Sequence, residues 1–259
     1  MVRVAGESTA VTCASSSPLR LLLPRPRGRA VWAVVASHGG GLVGGDRVAL
    51  DLEIGPATRA CVSTQAETKV YRSVEAPSRQ TTRARVERGA LLAVLPEPVS
   101  AYAGSCFEQR QRFELAEDGN LVLLDAFTAG RSARGERWTF RALATANEVA
   151  VGGRLILADA LRLSPSDGPA VAARMADVEL LATIVLLGPQ LAAPAADLLA
   201  ALADRPAEAG PVLVAASPLG DGVHLRLAAV DVEAGRAAIR STLAFLPALL
   251  GEDPLSRRP

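Results

Sequence analysis

Hydrophobic and polar side chains alternate most clearly in the segment RVALDLEIG, residues 47–55. The hydrophobic residues at the even positions share one face, whereas the charged residues Arg47, Asp51 and Glu53 lie at odd positions. A period of two is typical of a β-strand with one buried face. The pair Gly55–Pro56 then indicates a turn, so the pattern predicts a strand that ends there.

Other short hydrophobic segments, separated by turn residues such as Glu87-Arg88-Gly89, predict many more strands in the first two thirds of the chain. These strands are expected at 9–14, 18–23, 30–36, 58–64, 68–73, 79–87, 90–95, 105–115, 120–127, 136–145 and 149–163. Many short strands indicate a mainly β fold, with a layered or solenoid-like body over residues 1–163. The sequence contains no strict repeat.

The pattern changes at the turn-rich segment SPSDGP, residues 164–169. Beyond it, the sequence predicts strands at 179–187, 211–216 and 222–229 and two α-helices at 192–205 and 231–249. Residues 164–259 are therefore expected to form an α+β part. We expect this part to pack on the same core as the β body, so that the chain is one structural unit.

The second predicted helix carries its own start and stop signals. Asp231 is a predicted N-cap, and hydrophobic residues recur after it at helical spacing. Gly251 fits the exit of the helix, and Pro247 is expected to kink the helix or to end it early.

Composition and charge narrow the function classes. The 259 residues are 49% hydrophobic and 21% charged with a net charge of +1, which predicts a globular core and no broad field for binding nucleic acid. No apolar run approaches the roughly 20 residues that a membrane helix needs. We therefore expect no association with a membrane. The three cysteines form no CxxC motif, so a reducing cytoplasm is the expected location.

The two histidines, His38 and His224, are far apart and form no zinc-ligand spacing. The sequence also lacks the GxSxG and HExxH motifs. The composition therefore disfavours ordinary hydrolases and metalloenzymes.

The glycine-rich segment SHGGGLVGGD, residues 37–46, is the most distinctive local feature; its glycines are Gly39, Gly40, Gly41, Gly44 and Gly45. Its spacing fits GxGxxG, but a dinucleotide fingerprint must open a helix, and here the strand pattern of 47–55 follows. A tight crossover between strands is therefore favoured, with Gly44 or Gly45 at positive φ or too close to another backbone for a Cβ. A nucleotide-binding enzyme that uses this loop remains an alternative.

The segment STQAETKVYRS, residues 63–73, is polar within an otherwise apolar chain. It contains Gln65, Lys69, Tyr71 and Arg72. These residues indicate either a solvated edge strand or a binding surface.

These two segments together resemble the UreD (UreH) family of urease accessory proteins. The resemblance rests on GGGLVGGDRVALDLEIGP followed by TQAETKVYRS, and on a second signature in LVLLDAFTAGRSARGERW, residues 121–138. The residues that match the second signature are Asp125, Gly130, Arg131, Gly135 and Glu136.

The resemblance implies a β-rich body with two helices and no enzymatic turnover. Members of the family are scaffold chaperones that help to insert nickel into apo-urease. They bind UreF, which recruits the GTPase UreG, and an internal water-filled passage is thought to carry the nickel.

Four acids are candidates for weak nickel contacts during transit: Asp46, Asp125, Glu136 and Asp159. Nickel prefers imidazole and thiolate ligands, so oxygen ligands would hold it loosely and release it readily. We therefore expect no tightly bound cofactor. Each acid also has a structural interpretation, because Glu136 can pair with Arg131 and Asp46 can close the glycine turn.

A protein-interaction module that needs no metal is the other main alternative. It would use apolar patches and the surface around Tyr71 and Arg72 to hold UreF and urease.

Overall fold

Two β-sheets, wound from alternating segments of one chain, form the body of the molecule. The computed structural model describes residues 2–4, 7–25, 28–203 and 210–256. The strands are β1 (Val2–Val4), β2 (Glu7–Thr9), β3 (Leu19–Leu22), β4 (Val31–Ser37), β5 (Arg47–Ile54), β6 (Arg59–Thr64), β7 (Thr68–Val70), β8 (Ser78–Val86), β9 (Leu91–Leu95), β10 (Val99–Ala101), β11 (Cys106–Leu115), β12 (Asn120–Thr128), β13 (Gly130–Arg131), β14 (Glu136–Arg137), β15 (Ala142–Val151), β16 (Arg154–Leu163), β17 (Leu180–Leu187), β18 (Val212–Leu219) and β19 (Gly222–Ala229). The α-helices are α1 (Val171–Met175), α2 (Ala192–Ala203), α3 (Val232–Thr242) and α4 (Leu246–Leu250).

The path of the chain between the sheets is that of a solenoid. The large sheet has the order β18-β19-β17-β12-β9-β6-β4-β3, and the small sheet has the order β16-β15-β11-β8-β5. In the large sheet, β10 also pairs with β12, and β7 pairs with β10. From β4 to β15 the long strands alternate between the sheets, and their neighbours within each sheet run parallel. This arrangement confirms the predicted mainly β, solenoid-like fold.

The two sheets differ in how many of their faces are covered. β9 and β12 are buried along their whole length because further structure packs on both faces of the large sheet. β5 and β11 bury only alternate residues, since the outer face of the small sheet is exposed and carries ion pairs such as Arg79–Glu108 at 2.8 Å. The alternation at 47–55 therefore reflects a sheet that is covered on one side.

The C-terminal strands extend the large sheet. β17 pairs antiparallel with β12, and β19 and β18 follow it. The helices α2 and α3 pack against these strands, and their hydrophobic side chains share one core cluster with the large sheet. The division at residue 163 stays a prediction, although strands from both sides of it are neighbours in this sheet. Within the described ranges, no helix combines the length and the apolar character needed to cross a membrane.

Two helices form where the sequence predicts them, but the second is divided. α2 corresponds to the prediction at 192–205, whose last two residues lie outside the described residues. α3 begins after Asp231 and ends at Thr242, and Pro247 lies in the first turn of the separate helix α4. Proline fits a first turn because it needs no N–H bond there. The break thus comes before the proline, and Gly251 forms the exit with a φ of +82°.

We expect Asp231→Ala to lower the free energy of unfolding by about 1 kcal/mol. The Asp231 carboxylate accepts a hydrogen bond from the Ala234 N–H at 2.8 Å, and alanine leaves this first-turn donor without it. Urea unfolding measures the loss. Asp197→Ala is the matched control, because Asp197 is exposed on α2 and its replacement should not destabilise the fold. Equal stability of both variants would contradict the capping role.

Several predicted strand boundaries are wrong. The predicted strands 136–145 and 149–163 are divided at the wrong place, because β15 runs through this gap and turns at Gly152–Gly153. Both glycines have positive φ, +55° and +80°, which suits a two-residue hairpin. The predicted strand 9–14 is absent as well, since β2 ends at Thr9 and the next described strand is β3. The strand predicted at 68–73 is shortened to β7.

Candidate functional site

A layer of polar side chains crosses the interior between the two sheets. Apolar clusters lie on either side of it, one containing Phe113 and Val149 and the other containing Phe107 and Leu143. The buried polar residues between these clusters, which we call the polar layer, are Thr82, Gln109, Gln111, Asp125, Thr145, Asn147 and Asp159.

Strand register makes the layer continuous. The inward positions 107–113 of β11 read Phe, Gln, Gln, Phe, and the inward positions 143–149 of β15 read Leu, Thr, Asn, Val. The parallel register places Gln109 beside Thr145 and Gln111 beside Asn147. Gln109, Gln111, Thr145 and Asn147 were not predicted from the sequence. The signal that could have found them is a pair of polar residues on the hydrophobic side of an alternating strand.

Asp125 on β12 lies in the middle of the polar layer and is 3% exposed. Its Oδ1 accepts a hydrogen bond from Gln109 Nε2 at 2.8 Å, and its Oδ2 accepts bonds from Thr145 Oγ1 and Asn147 Nδ2, both at 3.1 Å. Burial raises the pKa of Asp125, and these neutral donors oppose the shift only in part. None of the ion pairs between described residues includes Asp125.

Two cavities approach each other at Asp125, which lines both. The first has a volume of about 190 Å³ and reaches Gln65 and Lys69, below the glycine-rich segment. The second has a volume of about 740 Å³ and opens between β16, β18 and β19, where Asp159 and Arg226 line it. Of the four acids predicted from the sequence, Asp125 and Asp159 thus face a shared cavity.

An arginine neutralises the acids near the first cavity. Arg236 on α3 lies 2.8 Å from Glu67 and 3.3 Å from Glu97, and both glutamates line this cavity. These ion pairs tie α3 to the loops that follow β6 and β9.

Asp159 on β16 lies close to two basic side chains on β19. Arg226 Nη2 bonds Asp159 Oδ1, and His224 Nε2 lies 3.9 Å from Asp159 Oδ2. Burial lowers the pKa of His224, although the negative charge of Asp159 acts in the opposite direction. Asp159 therefore has a charge partner that Asp125 lacks.

Asp46 closes the glycine turn. Its Oδ2 accepts a hydrogen bond from the Val43 N–H at 2.8 Å, and the Asp46 N–H donates to the Val43 carbonyl at 3.0 Å. The segment then enters β5 and opens no helix, so the arrangement needed for a dinucleotide fingerprint is not formed. This agrees with the expectation of a crossover between strands.

The glycines of this segment serve different needs. Gly45 has a φ of +90°, and a Cβ on Gly44 would lie 3.1 Å from the Ala76 carbonyl oxygen, which confirms the expectation for this pair. Gly39 and Gly40 have positive φ with nothing close by. A Cβ on Gly41 would lie only 2.4 Å from the Lys69 carbonyl oxygen.

Glu136 belongs to a cluster at the surface. Its carboxylate accepts hydrogen bonds from Arg131 Nη2 at 2.6 Å and Nε at 2.9 Å, and these bonds hold the pKa of Glu136 below its usual range. The Arg131 guanidinium carbon lies 4.3 Å from the centre of the Tyr102 ring, which meets Tyr71 edge to face at 5.4 Å. The side chain of Arg72 packs beside Gly104, two residues after Tyr102. Tyr71, Arg72 and Arg131 are thus brought together, while Gln65 and Lys69 line the first cavity instead.

The described residues do not form a conventional high-affinity metal site. Within it, no group of three or more His, Cys, Asp and Glu side chains could hold a metal ion together. The cysteines Cys13, Cys61 and Cys106 form no disulfide bond.

Comparisons with known proteins bear on this arrangement. The family model for the UreD urease accessory protein matches residues 1–259. A urease accessory protein UreD from Anaeromyxobacter sp. (strain Fw109-5) is 54% identical over 261 residues, which cover 100% of this chain and 88% of the relative. Another, from Sorangium cellulosum (strain So ce56), is 47% identical over 99% of this chain and 81% of its own length.

The similarity extends to plants. A urease accessory protein D from Oryza sativa subsp. indica is 30% identical over 97% of this chain and 92% of the relative. These relatives are named as accessory proteins, not as enzymes. The chain therefore belongs to the UreD family of urease accessory proteins and takes part in urease maturation.

Proposed function

We propose that the chain is a non-catalytic scaffold that conducts nickel along the polar layer towards apo-urease. The observation that carries this proposal is Asp125, a buried carboxylate whose hydrogen-bond donors are all neutral. A buried carboxylate without a charge partner is costly, and an apolar core would avoid that cost. A cation that passes through the interior gives the carboxylate a function.

The chemistry of the layer suits transit rather than storage. Its side chains offer carboxylate, amide and hydroxyl oxygens, whereas nickel binds imidazole and thiolate more tightly. An ion that kept much of its water shell would be held weakly at each position and released to the next. The two cavities that share Asp125 supply space on either side of it.

The partners that we propose are UreF, UreG through UreF, and apo-urease. A route through the interior must continue into a partner at each end, so each cavity mouth is a candidate contact. The cluster of Tyr71, Tyr102 and Arg131 offers ordered aromatic and arginine side chains, which are common in protein interfaces. The location that we propose is the reducing cytoplasm, where thiols such as those of Cys13 and Cys106 stay reduced.

The test measures nickel in urease after co-expression with UreF, UreG and either wild-type chain or the Asp125→Asn variant. We expect the variant to assemble with UreF and UreG but to give urease with at least roughly tenfold less nickel, because the amide keeps the volume of Asp125 and removes its charge. The measurement is metal content per urease active site, with the amount of assembled complex determined in parallel.

Asp51→Asn is the matched control, because it makes the same chemical change at a side chain that is 69% exposed on the outer face of the small sheet. This variant should load urease normally. Full nickel loading with Asp125→Asn would reject the passage through Asp125 and favour an interaction module that needs no metal. Failure of Asp125→Asn to bind UreF would make its role architectural.

A further inference from the structure

We propose that His224 Nε2 and the Asp159 carboxylate form a two-residue binding station for a divalent first-row transition-metal ion, with Arg226 as a counter-ion that the metal displaces. Asp159 and Arg226 line the larger cavity, and His224 lies beside them on β19. Its part in nickel transfer rests on the function proposed above, whereas metal binding itself does not.

The separation of the two groups fits an ion between them. His224 Nε2 and Asp159 Oδ2 are 3.9 Å apart, which is too long for a hydrogen bond. Zinc, a divalent ion similar in size to nickel, makes bonds of about 2.0–2.2 Å to imidazole nitrogen and to carboxylate oxygen. The gap is slightly shorter than the sum of two such bonds, so an ion between the two groups would lie within ligating distance of both.

The imidazole nitrogen is buried without a hydrogen-bond partner among the described residues. A buried polar atom without a partner is energetically costly, which makes this nitrogen a candidate ligand for an ion. Imidazole is also among the ligands that nickel prefers, and His224 is one of only two histidines in the chain. The polar layer, whose other members offer oxygen, thus gains a nitrogen ligand at this end.

The station continues the row of polar side chains that begins at Asp125. Asn147 donates a hydrogen bond to Asp125 and is the register partner of Asp159 on the next strand. An ion that leaves Asp125 would therefore meet Asp159 one strand further on. In the large sheet, Thr183 on β17 is the register partner of Asp125 and also of Arg226 on β19. The large sheet therefore also leads from Asp125 towards the station.

Arg226 is placed to leave when a cation arrives. Its side chain is 65% exposed, while that of Asp159 is 7% exposed, so the arginine reaches in from solvent to neutralise a buried carboxylate. Because His224 and Arg226 are two residues apart on β19, both project to the same face of the strand. A divalent ion at Asp159 would repel the guanidinium, which can return to water without crossing the core.

The first experiment uses the untagged full-length chain with ¹⁵N-labelled histidine and titrates it with nickel chloride. We expect paramagnetic broadening of the His224 imidazole signals at nickel concentrations that leave His38 unaffected. His38 is an internal control, because it is exposed and lies in the glycine-rich segment. Equal broadening of both histidines, or no broadening of His224, would overturn the proposal.

The second experiment compares nickel affinity by calorimetry. Arg226→Ala should tighten binding by roughly tenfold because it removes the competing cation. His224→Gln should weaken binding by at least roughly tenfold, and His38→Gln should leave it unchanged. If Arg226→Ala fails to fold, the comparison of His224→Gln with His38→Gln decides the matter, and equal affinities of these two variants would reject the station.

The two proposals can fail separately. If His224 does not respond to nickel while Asp125→Asn still lowers the nickel content of urease, the station is wrong and the passage stands. If His224 binds nickel while Asp125→Asn loads urease fully, the station is a metal site outside the proposed passage.

Discussion

Asp125→Asn is expected to raise the free energy of unfolding at neutral pH by roughly 1–3 kcal/mol, the usual cost of leaving a buried polar group poorly compensated. The carboxylate is buried among Gln109, Thr145 and Asn147, whose donors are neutral. Asparagine removes the charge, and the neighbouring amides and hydroxyl can rotate to present acceptors to its N–H groups. A loss of nickel transfer in this variant would then come with a more stable protein.

The effect should depend on pH with a definite sign. Burial raises the pKa of Asp125 in the folded state, whereas an aspartate in the unfolded chain titrates near about 4. The wild type therefore keeps its full stability below the unfolded pKa and loses part of it as the pH rises through the folded pKa. The advantage of Asp125→Asn should be small in acid and should grow as the pH rises.

Urea unfolding of both proteins at a series of pH values measures this difference. Asp51→Asn is the control, because the Asp51 side chain is 69% exposed on the outer face of the small sheet and pairs with Arg83 only at 3.7 Å. It should show no growing stabilisation. If Asp125→Asn is less stable than the wild type at neutral pH, the three donors hold the carboxylate ionised at a net gain, and burial does not dominate.

Gly41→Ala is expected to lower the free energy of unfolding by at least roughly 3 kcal/mol, which is a large share of the stability of a typical domain. The added Cβ would lie 2.4 Å from the Lys69 carbonyl oxygen and 2.7 Å from the Tyr71 ring. The Lys69 carbonyl cannot move away freely, because it accepts the Leu42 N–H at 2.8 Å. The bridge between Leu42 and Val70, which joins the glycine-rich segment to β7, would have to open.

Gly40→Ala separates steric contact from backbone strain. Gly40 has a φ of +72° with nothing within 4 Å of its Cβ position, so alanine there should cost only about 1–2 kcal/mol. Thermal unfolding and the yield of folded protein measure both variants. Similar behaviour of the two would show that the approach of Gly41 to Lys69 is not needed for the fold.

Local features of the fold could be predicted because neighbouring residues in the chain determine them. The alternation at 47–55 predicted β5, Asp231 marked the start of α3, and Gly251 marked the exit of α4. Strand edges were predicted less well. The two glycines at Gly152–Gly153 form the turn, but the predicted turn lay several residues earlier, because short apolar strands give no sharp boundary.

The candidate site could be predicted only in part. The motif resemblance indicated Asp125, since it belongs to a recognisable segment, and the pairing of Glu136 with Arg131 followed from their short separation. The rest of the polar layer could not be found in this way. A period of two shows which side chains share a face, but it does not show that Gln109 and Gln111 face the interior.

By itself, the sequence of this protein determined its mainly β character, the start of α3 and the exit of α4, and the segments that mark its family, because each depends on residues close together in the chain. The tertiary structure alone decided which strands are neighbours. Parallel stacking brings Gln109 of one turn of the solenoid beside Thr145 of the next, and the packing of the two sheets against each other brings Asp159 of β16 near His224 of β19. Such contacts depend on long-range register, which is selected by the packing of the whole core and leaves no local pattern in the sequence.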